Sequence, residues 1–388
     1  MASAVARALA LTNQVTSRLY AQVSIAQYDA YKTARDFKTS KSNPDKPDPE
    51  LAAAYAAHAV LARFAPQLAP NLLDNHLLAE VVRSSVSRKV RDISATIGVA
   101  CALKYVKIGV ADRSLTISYY RPPAANDPNV PDNVYSFTPA APEYGQPEQN
   151  FILYPQYSNA STFIYPVSSI PALTAPYINS WYKFGTPEYD AETQEVLHYG
   201  GQVSNRTAYQ NDTAKFWLGA VGSGGGGSSG LTGMVQNISI TLLPSSYSVY
   251  DQAKFFAKLG AAFYDGTVVV WKHIDPTWAP YLATPQHPEY PSAHQGIFGG
   301  GWGILERAIG LNKLNQTFTV RTDWPGIPNR TYNSLSEARA ECLDSRVYAG
   351  AHWRKAAADA FALGHTVAQY AYENLDKIVY GKQGPPTW

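Results

Sequence analysis

The chain is 388 residues long, 45% hydrophobic and 16% charged, which is enough apolar sequence for a large core in one big domain or two smaller ones. Its formal net charge of +2 gives no electrostatic footprint for nucleic acid or a strongly acidic partner. No apolar run reads as a membrane span, and the opening MASAVARALALTNQ is too short in its apolar part for a signal peptide. Whether a leader once preceded Met1 is left open.

In chain order, Val5, Leu9, Leu11, Val15, Leu19, Val23 and Ile25 recur at helical spacing, so residues 1–38 are expected to be helical. KSNPDKPDPE breaks the pattern. Asp48 as N-cap and Pro49 at the first helical position then start an Ala-rich helix that ends before Pro66. His58 inside it reads as a packed or surface histidine. Residues 72–80 and 82–112 continue helical. From about 113 to 200 Pro, Tyr, Asn and Ser dominate, and the expectation is long ordered loops with short β-strands. VGSGGGGSSG is a flexible loop and not a phosphate-binding loop, because no G-K-[ST] closes it. Residues 246–271 form a helix that delivers Lys272. A helix opened by Pro291–His294 runs to a stop at Gly310. Ser334–Arg346 and Trp353–Tyr380 are the last two long helices. Cys101 and Cys342 either pair or stay as buried thiols, the latter being favoured.

Two stretches carry chemistry. Trp271 to His294 and Ser345 to His352 bring one Lys, one Ser, one Arg and two His into short turns flanked by Gly and Ala. That set suits a tetrahedral oxyanion. Lys272 and Arg346 supply positive charge, while Ser292 and the backbone N–H groups of a turn opening a helix donate hydrogen bonds. His294 can shuttle a proton near neutral pH, and His352 can bond to the central atom.

These pieces resemble the three signatures shared by vanadium-dependent haloperoxidases and PAP2-type acid phosphatases, K-x6-R-P, P-S-G-H and S-R-x3-G-x-H. Here they stand as Lys272-HIDPTW-Ala279-Pro280, Pro291-Ser292-Ala293-His294 and Ser345-Arg346-VYA-Gly350-Ala351-His352. Glu195 to Trp217 (E-V-x-x-x-G, R-T and A-x-F-W) is similar to a run between the halves of related chains. The N-terminal helices resemble the chloroperoxidase-like branch more loosely. The resemblance implies an all-α protein of two helical bundles, with long irregular loops and minor β-strands in the middle. It would be a single domain over 1–388, with N-terminal helices (1–112), a loop-rich middle (113–230) and a C-terminal bundle (231–388) carrying the site. It implies vanadate, or phosphate in its place, bonded to His352 and held by Lys272, Ser292, the N–H of Ala293, Arg346 and the Gly350 turn. His294 would assist by proton transfer, with hydrogen peroxide and halide as reactants. In the phosphatases the His352 position is the nucleophile and the His294 position protonates the leaving alcohol.

Two positions depart from the signatures: the P-S-G-H glycine is Ala293, a mild change, and the K-x6-R-P arginine is lost, a serious one. The signature arginine is Ala279, and one lost charge-assisted contact costs about 1.5–3 kcal/mol, roughly 10- to 150-fold in anion affinity. His273, Arg330 or Arg354 could substitute. Ala356 stands where many phosphatases carry Asp, which weakens that reading. His287 and His365 near the motifs are expected to be structural. Asn159, Asn205, Asn211, Asn237, Asn315 and Asn329 each begin N-x-S/T, against roughly two expected by chance. They point to a secreted chain with N-linked glycans. Three functions therefore stand: a vanadium haloperoxidase, a degenerate member serving as a structural or self-assembling glycoprotein or homo-oligomer, and a phosphatase.

Overall fold

The computed structural model describes residues 1–9, 11–37, 45–114, 155–177, 180, 182–183, 185–201, 204–218, 230–273, 290–310, 317–322, 324 and 326–379. Thirteen α-helices are present among them: α1 (Ala2–Ala8), α2 (Asn13–Arg35), α3 (Pro49–Phe64), α4 (Asp74–Ser84), α5 (Arg88–Ala111), α6 (Ile170–Thr174), α7 (Pro187–Gly200), α8 (Ala208–Leu218), α9 (Gly230–Leu242), α10 (Val249–His273), α11 (Ala293–Ile309), α12 (Leu335–Tyr348) and α13 (Arg354–Val379). The only sheet among the described residues is a hairpin of β1 (Phe318–Val320) and β2 (Arg330–Tyr332), antiparallel with Thr319 opposite Thr331. The protein is all-α, as expected.

The helix starts follow local chemistry. The Asp48 side chain accepts the Leu51 N–H with Pro49 behind it, and Ser87, Thr186, Ser292 and Ser334 cap α5, α7, α11 and α12 in the same way. Several boundaries differ from the sequence reading. The first helix is two, separated near Leu9–Thr12, and Ser85 in the left-handed region separates α4 from α5. Of the stretch expected to be loops with short strands, residues 115–154 lie outside the described residues; the described residues from 155 to 200 hold short 3-10 turns, α6 and the full helix α7, with no strand among them. Apolar periodicity missed α7 because it buries little beyond Tyr189 and Gly200 and is held by polar contacts. By length and composition α5 could cross a membrane, contrary to the sequence reading. In the structure Ile97, Gly98, Cys101, Ala102 and Tyr105 on one face are packed into the bundle.

Helix α10 is the spine. It packs on α2, which with α3 and α5 builds the N-terminal bundle, and on α11 and α13, which build the C-terminal one. The axes approach closely because small residues meet: a Cβ at Gly300 would stand 2.4 Å from the Ala262 carbonyl oxygen, and one at Gly364 2.2 Å from that of Gly296. Two buried polar contacts fix the N-terminal half to this spine. Arg18 donates to Asp112 at 2.9 Å, and Asp112 also takes the Tyr264 hydroxyl of α10. Asp265 accepts the backbone N–H groups of Phe163, Ile164 and Tyr165 at 2.6, 2.8 and 2.8 Å.

Burial pushes the Asp265 pKa up to about 7 despite those three donors. A folded-state pKa above the unfolded one contributes stability at low pH that is lost as pH rises through 7. Asp265→Asn replaces one of the two accepting oxygens with an NH2 group, leaves at least one of the three buried N–H groups without its acceptor and is expected to cost about 1–3 kcal/mol. The gap in melting temperature between wild type and variant is expected to narrow between pH 5 and pH 8, since only the wild type ionises.

Candidate oxyanion site

The end of α12 explains the spacing of the third signature. Gly350 has φ +64°, its N–H donates to the Val347 carbonyl at 2.9 Å, and the Ala351 N–H donates to that of Arg346 at 3.1 Å. These are the two bonds of a Schellman stop, with glycine at the left-handed position. The turn folds the chain back, so that the His352 N–H also reaches the Arg346 carbonyl, at 3.4 Å. The arginine, three residues, glycine, one residue and histidine spacing is thus that of a helix stop whose turn brings the His352 backbone back to the Arg346 carbonyl.

The second signature opens α11. Ser292 is the N-cap, with its hydroxyl accepting the Gln295 N–H at 3.4 Å and its own N–H donating to the Ala356 carbonyl of α13 at 3.2 Å. Ala293 and His294 follow in the first turn, where N–H groups lack intrahelical acceptors and the helix dipole favours an anion. Ser292, Ala293, His294, Arg346 and His352 are all buried.

Arg346 sets the electrostatics. It is 3% exposed, it makes no ion pair among the described residues, and its Nε and Nη1 have no hydrogen-bond partner there. Burial lowers its pKa to about 10. A guanidinium in that position has donors and charge left for an anion, and the residues present fit a tetrahedral oxyanion on those grounds.

The supporting layer comes from the run between the halves. Glu195 of α7 pairs with Arg354 at 2.8 Å, and Arg354 also pairs with Asp344 at 2.5 Å. Glu192 accepts the Lys355 N–H and so caps α13 directly after His352. Gly200 lies against Gly350, where a Cβ would stand 2.5 Å from the Gly350 Cα. Arg206 ties the Tyr199 and Tyr348 carbonyls together. Trp217, fully buried, donates to Glu341, which also receives Tyr209, Arg330 and Tyr332. Sequence reasoning recognised this run without assigning its residues to the site's support. A carboxylate and a glycine at E-V-x-x-x-G spacing were the available signal.

Lys272 falls in the last turn of α10, while Ala279 and His287 lie outside the described residues. Of the candidate substitutes for the missing arginine, Arg330 is committed to Glu341 and Thr213, and Arg354 to Glu195 and Asp344. Residue 273 ends α10. His365 pairs with Glu306 at 3.0 Å and His58 with Asp74 at 2.6 Å, both away from the signatures. Cys101 and Cys342 are free and buried. The sequons at Asn159, Asn205, Asn211, Asn237 and Asn329 are exposed, and Asn315 lies outside the described residues.

The start of α11 and the stop of α12 thus lie together within paired helical bundles, with Ser292, Ala293, His294, Arg346 and His352 all buried. Residues 264–381 match the family model of the VCPO second helical-bundle domain. The structure is similar to a bacterial vanadium-dependent iodoperoxidase, at 18% identity, covering 96% of this chain and 93% of that one with a TM-score of 0.71. Bacterial vanadium-dependent chloroperoxidase in its holo form is similar at 15% identity, 96% and 94% coverage and a TM-score of 0.65. Its apo form gives 16%, 96%, 95% and 0.66. No curated protein sequence matches. The chain has the vanadium haloperoxidase fold and carries that family's second helical-bundle domain.

If Arg346 is held for an anion, Arg346→Met should leave the melting temperature unchanged or higher in anion-free buffer, because an uncompensated buried charge is removed. The same variant should lose the roughly 2.7 kcal/mol of stabilisation that phosphate at about 100 times its Kd confers on the wild type. Differential scanning calorimetry with and without phosphate measures both.

Proposed function

We propose that the chain is a vanadium-dependent haloperoxidase that oxidises halide with hydrogen peroxide. The observation that carries this reading is the buried Arg346, whose Nε and Nη1 have no partner among the described residues, at the end of the helix whose stop turn leads to His352. The names of the structural neighbours support the reaction class. In this account the His352 imidazole would bond the vanadium of bound vanadate. Arg346, the Ser292 hydroxyl and the N-terminal amides of α11 would hold its oxygens, with Lys272 adding charge from the end of α10. Bound vanadate supplies Lewis-acid activation of peroxide without a change in its own oxidation state. His294 takes the peroxide proton.

The alternative is a member that retains the fold without turnover and acts as a structural or self-assembling glycoprotein. It is favoured by one observation: Arg330 and Arg354, the described candidates to replace the lost arginine, are both paired with carboxylates. A phosphatase is disfavoured by Ala356, whose carbonyl serves the Ser292 N–H and whose side chain cannot do a carboxylate's work.

Iodide and bromide oxidation by purified protein, with peroxide and with or without vanadate, tests the reading. Vanadate-dependent turnover is expected, abolished in His352→Ala and raised about 10- to 150-fold in kcat/KM by Ala279→Arg. Activity gained only in Ala279→Arg would make the native chain a disabled member, and silence in both would overturn the catalytic reading. The exposed sequons lead us to propose secretion with N-linked glycans. Treatment of native protein with a peptide N-glycosidase should lower its apparent mass, and an unchanged mass would contradict glycosylation.

A further inference from the structure

The cradle contains one group that the proposed chemistry does not use. Cys342 lies one helical turn before Arg346 on α12, on the same face, and is fully buried. Its Sγ stands 4.0 Å from Nε2 of His294 and 3.5 Å from the side-chain nitrogen of Gln295. The Arg346 charge acts on it, although burial still pushes the thiol's pKa well up. The chain's other cysteine, Cys101, is buried in the N-terminal bundle beside Asp29 and Lys104.

We propose that Cys342 is a peroxide-oxidisable thiol built into the wall of the oxyanion site, and that its oxidation to sulfenic acid closes that site to anions. The assignment rests on the oxyanion reading given above. Sulfur attacks one oxygen of hydrogen peroxide, and the O–O bond breaks as an S–O bond forms. The departing hydroxide takes the thiol proton, passed through His294, and leaves as water. Sulfur loses two electrons and peroxide gains them, so that thiol plus H2O2 gives sulfenic acid plus water. A buried thiol is ordinarily inert because both its thiolate and its oxidised product are poorly solvated. Here the product oxygen is added between the Gln295 side-chain nitrogen, 3.5 Å from Sγ, and Nε2 of His294, 4.0 Å from it, where the Arg346 charge also acts. An oxygen held there takes up space and hydrogen-bonding capacity beside His294 that an oxyanion would use. Peroxide in excess would thereby silence the site, and thiol reductant would restore it.

The test is dimedone trapping and peptide mass spectrometry on intact protein exposed to hydrogen peroxide, with Cys101 as the internal standard. Phosphate binding to the unoxidised protein is measured in parallel by calorimetry. The expected result is labelling of Cys342 at least about tenfold faster than Cys101, slowed by saturating phosphate, with phosphate affinity lost on oxidation and regained with dithiothreitol. In Cys342→Ser, peroxide should leave phosphate affinity unchanged. Labelling of Cys342 no faster than Cys101, with phosphate bound, overturns the thiol assignment alone. Rapid labelling of Cys342 without any phosphate binding supports a reactive thiol, overturns its role in closing the site and overturns the oxyanion reading. Absence of both overturns both.

Discussion

A buried guanidinium with no carboxylate partner among the described residues is the constraint on which the site depends. Taking Arg346 out of water costs several kcal/mol, and no described residue returns that cost through an ion pair. The lowering of its pKa to about 10 is the same cost expressed as proton affinity. The other two buried guanidinium groups among the described residues are paired: Arg18 has Asp112, and Arg330 has Glu341 within a frame of Tyr209, Phe216 and Tyr332. The exception coincides with the turn that carries His352 and faces the same cradle as the helix opening at Ser292.

Rigidity around that exception comes from close helix packing. Gly296, Gly299 and Gly300 sit mid-helix in α11, where glycine weakens a helix by about 1 kcal/mol relative to alanine. Each is opposed by backbone or side chain of α10 or α13 at distances that leave no room for a Cβ. The local loss permits three helices to approach until their backbones touch, which fixes the start of α11 against α13 through the Ser292 N–H and the Ala356 carbonyl. Charged contacts from α7 then lock the start of α13 to the end of α12. The cradle is therefore held from three sides by elements distant in sequence.

Much of this was legible in the residues. Caps at Asp48, Ser292 and Ser334 and the stop at Gly310 announced helix ends because their chemistry is local. The third signature could be read as an anion site because its glycine, arginine and histidine are set by a single turn. What sequence could not supply was non-local. The helix through the Gly-rich FGGGWG run could be read, but not the close approach of α10 and α13 that requires its glycines. Helix α7 lacks an apolar face to detect, being held through Glu192, Glu195 and Gly200. The pairing of Arg330 and Arg354 with carboxylates removed two candidates that spacing alone had left open. Cys342 gave no sign in the sequence of standing near His294, since 48 residues separate them.

The central claim is that this cradle holds a tetrahedral oxyanion on the His352 imidazole. X-ray absorption at the vanadium edge, on protein loaded with vanadate, tests it most directly. The account predicts an imidazole nitrogen in the first coordination shell, present in the wild type and absent in His352→Ala. Vanadium surrounded by oxygen alone in both proteins, or no retained vanadium after dialysis of the wild type, would contradict it.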